Sequence, residues 1–224
     1  MLTISSAGPS PSITTAMART PDADFDFLKS IDGARQLLRD EQANRCAYCE
    51  RRLPTDDSKT KIEHFHPRSK DFRDGSCVTE SHAPTADRAV TEWRNLLLVC
   101  DGEASPQFTC DTRKGDLDVC DLIHNPKRSN LRIATQVECD YSGNISALNG
   151  SDLTQDVLDN ILNLNDPVLL RARQSIWSVL MKQVRDCKNP NKKGLKAGKL
   201  RERLEAAAQT KEYGSVYLSI AKKL

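Results

Sequence analysis

Cys46 and Cys49 form a two-residue knuckle, and Glu63-His64-Phe65-His66-Pro67 begins fourteen residues after Cys49. Trp93-Arg94-Asn95, Cys100 and then Cys110-Asp111-Thr112-Arg113-Lys114 follow. These residue types support two kinds of metal chemistry. Four thiolates make a closed tetrahedral cage for zinc. A carboxylate beside a histidine, with a second carboxylate further on, suits a harder ion such as Mg²⁺ or Mn²⁺. A neutral imidazole can also take a proton from water near neutral pH, which phosphodiester hydrolysis needs.

Cys100 and Cys110 make the natural second pair of the cage, although nine residues separate them. Cys120 is an alternative to either. Cys77, Cys120, Cys139 and Cys187 otherwise read as free thiols. A second zinc site from Cys77-x4-His82 and Cys120-x3-His124 is the lesser alternative. His66 follows His64 by two positions and could be a solvated surface residue, a phosphate contact or a ligand. In an ideal strand Glu63 and His64 point to opposite faces, so the strand must twist or end there for both to serve one site. Arg51, Arg52, Arg68, Lys70 and Arg73 flank the motif and could grip phosphates or simply be solvated. The competing reading of the whole set is a zinc-stapled binding module without catalysis.

The elements that must position these groups are a mixture of helix and short strand. Apolar residues at helical spacing predict a helix over 24–43, with the knuckle directly after it. A strand is expected over 61–66, closed by Pro67. Residues 93–100 read as helix or strand, and 110–118 as a short helix with Asp111 in its first turn. Residues 70–86 look like a polar surface insertion. Turns and short strands are expected over 120–149, with a hairpin tip at 141–145. A capped helix is expected over 151–163, and a longer one from Asn165-Asp166-Pro167 to about Lys188. A break follows over 189–198, then mostly helix to the end.

Composition narrows the class. The 224 residues suit one ordinary domain, or a small one with a helical extension. Hydrophobic residues make up 38% and aromatics 5%, so a modest core stapled by metal is expected. The Ser/Thr/Ala/Pro-rich start, 1–23, reads as a disordered leader rather than a signal peptide. Cysteines in a chain without an export signal point to metal binding in a reducing, cytoplasmic setting. Net charge is +2, but residues 168–224 carry 14 Lys/Arg against 4 Asp/Glu, while 1–167 carry 19 against 27. A basic rear behind an acidic front suits contact with nucleic acid or an acidic protein, or a solvated helix face.

Together, Cys46-x2-Cys49, Ile62-Glu63-His64-Phe65-x-Pro67-x-Ser69, Trp93-x-Asn95-Leu96 and Cys110-Asp111-x2-Lys114-Gly115-Asp116 resemble the HNH endonucleases. More narrowly they resemble PtuB, the HNH subunit of Septu and retron antiphage defence systems. Asn160 to Asn165 and Leu169-Leu170-x-Ala172-Arg173 are similar to that family's C-terminal half. The resemblance implies an α+β, mostly helical fold: a ββα-metal finger with a zinc-stapled knuckle, flanked by N- and C-terminal helices. It implies a nuclease region over 24–119 and a helical packing or partner-binding region over 120–224. It also implies that Glu63 and Asp111 hold a catalytic Mg²⁺ or Mn²⁺, that His64 is the general base, and that Asn95 braces the loop and orients the histidine. Lys114 would sit near phosphate. Two departures stand out, because Glu63 is longer than the usual Asp and Asp111 replaces a commonly neutral ligand. The implied partner is a PtuA-type ABC-like ATPase, and the implied substrate is DNA or RNA, including tRNA.

Overall fold

The computed structural model describes residues 4, 8–20, 24–67, 91–103, 106–120, 122–127, 136–151, 153–189, 191 and 196–224. The expected insertion over 70–86, with Cys77 and His82, lies outside them, as do Arg68, Lys70 and Arg73. The fold is mixed α+β with two small two-stranded sheets. Among the described residues, no helix is long and apolar enough to cross a membrane.

Three helices lead the chain: α1 (Pro11–Arg19), α2 (Phe25–Ser30) and α3 (Ala34–Glu41). Part of the leader expected to be disordered is therefore helical. Ser10 caps α1, Pro11 opens it, and Ile4 and Ile13 enter the core. The single helix expected over 24–43 is instead two. Ile31 turns extended and Gly33 adopts φ 80°, a left-handed value that breaks the helix at little cost only for glycine.

A single turn of 3₁₀ helix (Asp57–Lys59) then enters β1 (Thr60–His64). Another (Trp93–Asn95) enters β2 (Leu96–Cys100). The strands pair antiparallel, with Thr60 opposite Cys100 and His64 opposite Leu96. β2 is buried along its whole length, which explains its continuous apolar run. Gln42 binds its edge, donating to the Leu98 carbonyl at 2.6 Å and accepting from the Leu98 N–H at 2.7 Å. The knuckle joins the same edge through the Ala47 N–H and the Leu98 carbonyl, 3.2 Å apart. The short α4 (Cys110–Lys114) follows, ending at Gly115 with φ 59°.

The C-terminal half holds the hairpin of β3 (Val137–Cys139) and β4 (Ile145–Ala147), with its tip where the sequence places it. The helix expected over 151–163 is mainly a π turn (Val157–Ile161), in which the Leu162 N–H reaches back five residues to the Val157 carbonyl. α5 (Pro167–Lys188) matches expectation, with Asp166 accepting from the Val168 N–H and Pro167 at its first position. Its buried residues are Leu169, Arg173, Trp177, Leu180 and Val184, and the helix packs on α6 (Ala197–Ala208) and α7 (Gly214–Ala221), while Arg173 donates to the Gly143 and Leu164 carbonyls.

This half packs directly on the knuckle through two charged residues. Arg45 donates to the Ala208, Gln209 and Lys211 carbonyls, closing the C-terminal end of α6. Glu50 accepts from the Ser215 N–H at 2.8 Å and hydroxyl at 2.9 Å, capping the start of α7. A cation at one helix end and an anion at the next helix start lock the cysteine knuckle to the α6–α7 corner.

Candidate metal centre and carboxylate pocket

Cys46, Cys49, Cys100 and Cys110 are all buried, and their sulfurs lie within 4.8 Å of one another. Three of the separations are 3.8 Å: Cys46–Cys110, Cys49–Cys100 and Cys100–Cys110. A disulfide would need about 2.05 Å. Four sulfurs each about 2.3 Å from one zinc stand about 3.8 Å apart. The side chains are thus spaced as the edges of a zinc–thiolate tetrahedron, and the cluster could hold a metal ion such as zinc.

The protonation pattern fits that reading. Burial opposes a thiolate, but thiol donors from Cys100, Cys110 and Cys49 hold Cys46 well below the ordinary thiol range. Burial, with the adjoining sulfurs, pushes Cys49 well above it. The adjoining sulfurs, and then burial, do the same to Cys110. A bound divalent cation would favour the thiolate form of the cluster.

The wide gap between Cys100 and Cys110 is closed by a folded-back loop in which the Thr109 N–H donates to the Gly102 carbonyl at 3.0 Å. Gly102 sits at φ 71°, and a Cβ there would lie 2.2 Å from the Thr109 carbonyl oxygen, so this approach requires glycine. Cys120 does not join the cluster. It lies with His66 and Asp118.

Above the cage, β1, α4, α2 and α3 enclose a cavity of about 510 Å³. Glu63, His64, Asp111 and Lys114 line it, with Phe25, Lys29, Arg35 and Lys61 around them. Glu63 and His64 both face this space because β1 ends at His64. Phe25 meets the His64 ring edge-on at 4.6 Å between centroids. Burial, followed by hydrogen-bonding contact with Asp111, holds the Glu63 carboxyl well above the usual carboxylate range, against the pull of Lys114. Tyr48 donates to Glu63 Oε1 at 3.1 Å. Burial and then the Glu63 charge push the Tyr48 phenol well up. The buried Glu63 carboxyl and the half-buried Asp111 carboxyl form a donor set that a hard cation would relieve.

Asn95 braces the turn after β1 from both sides. Its Oδ1 accepts from the His66 N–H at 2.7 Å, and its Nδ2 donates to the His66 carbonyl at 3.0 Å. Lys114 lines the same cavity, and its side chain is buried. Its ammonium pairs with Glu63 Oε1 at 2.8 Å and donates to the Gly115 and Leu117 carbonyls. These use its three donors, so reaching phosphate would require giving one up. His66, read first as a surface residue, is buried, with Nδ1 3.3 Å from Asp118 Oδ2.

Sequence reasoning missed Lys29, Arg35 and Lys61 as cations of the cavity. Lys61 was findable, because it lies two residues before Glu63 and so on the same strand face. Its ammonium donates to Thr112 Oγ1 at 2.7 Å. Arg35 donates to Thr60 Oγ1 at 2.8 Å. Arg51 and Arg52 do not line the cavity.

No protein-family model matches the chain, and no curated protein is significantly similar to it.

Proposed function

We propose that this chain is a metal-dependent HNH-type endonuclease, hydrolysing phosphodiester bonds in DNA or RNA. The observation that carries the reading is the convergence of Glu63, Asp111 and His64 on one cavity. β1 and the short α4 line that cavity, and Cys110 of the four-cysteine cluster opens α4. Glu63 and Asp111 would hold Mg²⁺ or Mn²⁺, and their contact is the donor set such an ion favours. When bound, the ion supplies charge neutralisation at phosphorus and at the leaving oxygen. His64 takes the proton from the attacking water. Asn95 fixes the backbone after His64 and so holds the imidazole to the cavity. Lys114 holds Glu63 in place, and Lys29, Arg35 and Lys61 attract the phosphate backbone.

The resemblance to PtuB extends this reading to an antiphage complex with a PtuA-type ATPase. The charge distribution supports such a division of labour. Residues 1–167 carry fewer cations than anions, so the catalytic half grips a long polyanion poorly alone. The basic rear, 168–224, is the candidate surface for nucleic acid or the partner.

The 2.8 Å Lys114–Glu63 pair favours a second reading, in which Glu63 is a structural ion-pair residue of a zinc-stapled binding module. Cleavage of labelled DNA and RNA with Mg²⁺ or Mn²⁺ separates the two. Divalent-dependent cutting is expected. Binding without cutting, in the chain alone and in the ATPase complex, would establish the module instead.

A further inference from the structure

The four-cysteine cluster is one of two groups of metal-ligating side chains among the described residues. The other joins His66, Asp118 and Cys120, whose donor atoms also lie within 4.8 Å of one another. The His66 and Asp118 side chains are only 4% and 3% exposed, and Cys120 is buried. We propose that these three residues bind a second zinc-class ion, which fastens the turn after β1 to the segment after α4.

Donor chemistry selects the metal. One imidazole nitrogen, one carboxylate oxygen and one thiolate form a mixed set of borderline softness. The thiolate disfavours Mg²⁺ and Ca²⁺, whereas zinc accepts all three. The fourth tetrahedral position is left for water or a further donor.

The distance is compatible with a shared ion as well as with the His66–Asp118 hydrogen bond. His66 Nδ1 and Asp118 Oδ2 are 3.3 Å apart. A charge-assisted N–H···O bond draws in to about 2.7–2.9 Å. A nitrogen and an oxygen each about 2.0–2.1 Å from one zinc stand about 3.3–3.4 Å apart. The 3.3 Å separation has room for an ion held by both groups.

Hydrogen bonds also fix the two segments that carry these side chains. Asn95 holds the His66 backbone through both its N–H and its carbonyl. The Cys120 N–H donates to Asp118 Oδ1 at 3.1 Å, leaving Oδ2 toward the histidine.

The position gives the ion a task. Glu63 and His64 end β1, just before His66, and Asp111 and Lys114 lie on α4, just before Asp118. The four-cysteine cluster ties the start of α4 to the end of β2. An ion at His66, Asp118 and Cys120 would tie the far end of α4 to the far end of β1. Between them, the two ions would fix the gap across which Glu63 faces Asp111. The inference rests on this geometry and not on the nuclease reading, so either can fail alone.

The test measures zinc in the full chain after dialysis against a weak chelator. About two zinc ions per chain are expected in wild type, falling to about one in Asp118→Asn and in Cys120→Ser. Asp118→Asn keeps the volume and an acceptor for the Cys120 N–H, and circular dichroism checks that it folds. X-ray absorption on wild type adds a reading independent of any variant. A nitrogen/oxygen shell near about 2.0–2.1 Å is expected beside the sulfur shell near about 2.3 Å. About one zinc per chain with an all-sulfur shell would overturn the proposal. A second zinc that survives Cys120→Ser but is lost from Glu63→Gln would overturn it too, by placing the ion in the cavity.

Discussion

The cysteine cluster and the carboxylate pocket are neighbours on one strand pair, yet they meet opposite electrostatic problems. In the cluster, four like ligands are buried together at a spacing that suits one ion. In the pocket, Glu63 is shared between Tyr48, Lys114 and Asp111, and its carboxyl is held well above the ordinary range. The first arrangement suits a permanent structural ion and the second an exchangeable one. A scaffold metal is held by ligands that serve nothing else, whereas a working metal site keeps internal partners that an ion must displace or share.

The largest expected effect is on the scaffold side. Cys46→Ser or Cys49→Ser should remove the zinc and cost at least about 5 kcal/mol of stability, or end cooperative unfolding, because metal binding here is folding energy. Thermal melts with metal analysis check this. Unchanged melting and zinc content would erase the contrast between the two regions.

Asn95→Ala comes next. It leaves the His66 N–H and carbonyl without their buried partner and should cost about 2–4 kcal/mol in chemical denaturation. Cleavage should fall further than that loss of folded protein explains. If it falls only in proportion, Asn95 braces the fold and not the histidine.

Asp111→Asn should be the mildest for stability, within about 1 kcal/mol, while abolishing divalent-ion binding. The two regions should also differ in pH response. With no divalent ion present, the folded Glu63 carboxyl titrates above its unfolded value. Its stabilising contribution is complete below the ordinary carboxylate range and is lost as pH rises through the elevated value. Added Mn²⁺ should reverse that loss in wild type but not in Asp111→Asn. The cage responds with the opposite sign, since falling pH protonates thiolates and releases zinc. Melts across pH, with and without Mn²⁺, read both slopes. Slopes of the same sign would mean that the pocket does not hold an ion through these carboxylates.

The smallest effect concerns substrate grip. The chain alone should cut weakly and lose activity steeply with salt, and a complex with the proposed ATPase partner should cut faster at the same salt. Equal rates across that range would make the catalytic half self-sufficient.

The scaffold was more legible in the sequence than the pocket. Cys46-x2-Cys49 marks a chelating knuckle directly, and the Asp166-Pro167 start of α5 is a local cap with a local signal. The choice of Cys100 and Cys110 over Cys120 was left open, because it depends on the loop reversal at Gly102, a tertiary contact. Helix periodicity over 24–43 hid the break at Gly33, since the apolar stripe continues on both sides of it. That break matters to the site, because α2 brings Phe25 and Lys29, and α3 brings Arg35, to the cavity. The sequence leaves His66 open between surface residue, phosphate contact and ligand, because nothing near it reveals Asp118, which is 52 residues away. Lys114 was placed near phosphate by motif position alone, and its burial against Glu63 is a packing outcome.

The central claim is that His64, beside Glu63 and Asp111, performs hydrolysis on a metal-stapled scaffold. The direct measurement is the single-turnover cleavage rate of His64→Ala against wild type, in the ATPase complex with saturating Mn²⁺, with matched zinc content and melting temperature. The account predicts a loss of about 10²-fold or more, the usual contribution of a positioned general base. A near wild-type rate from a folded, zinc-loaded His64→Ala would contradict it.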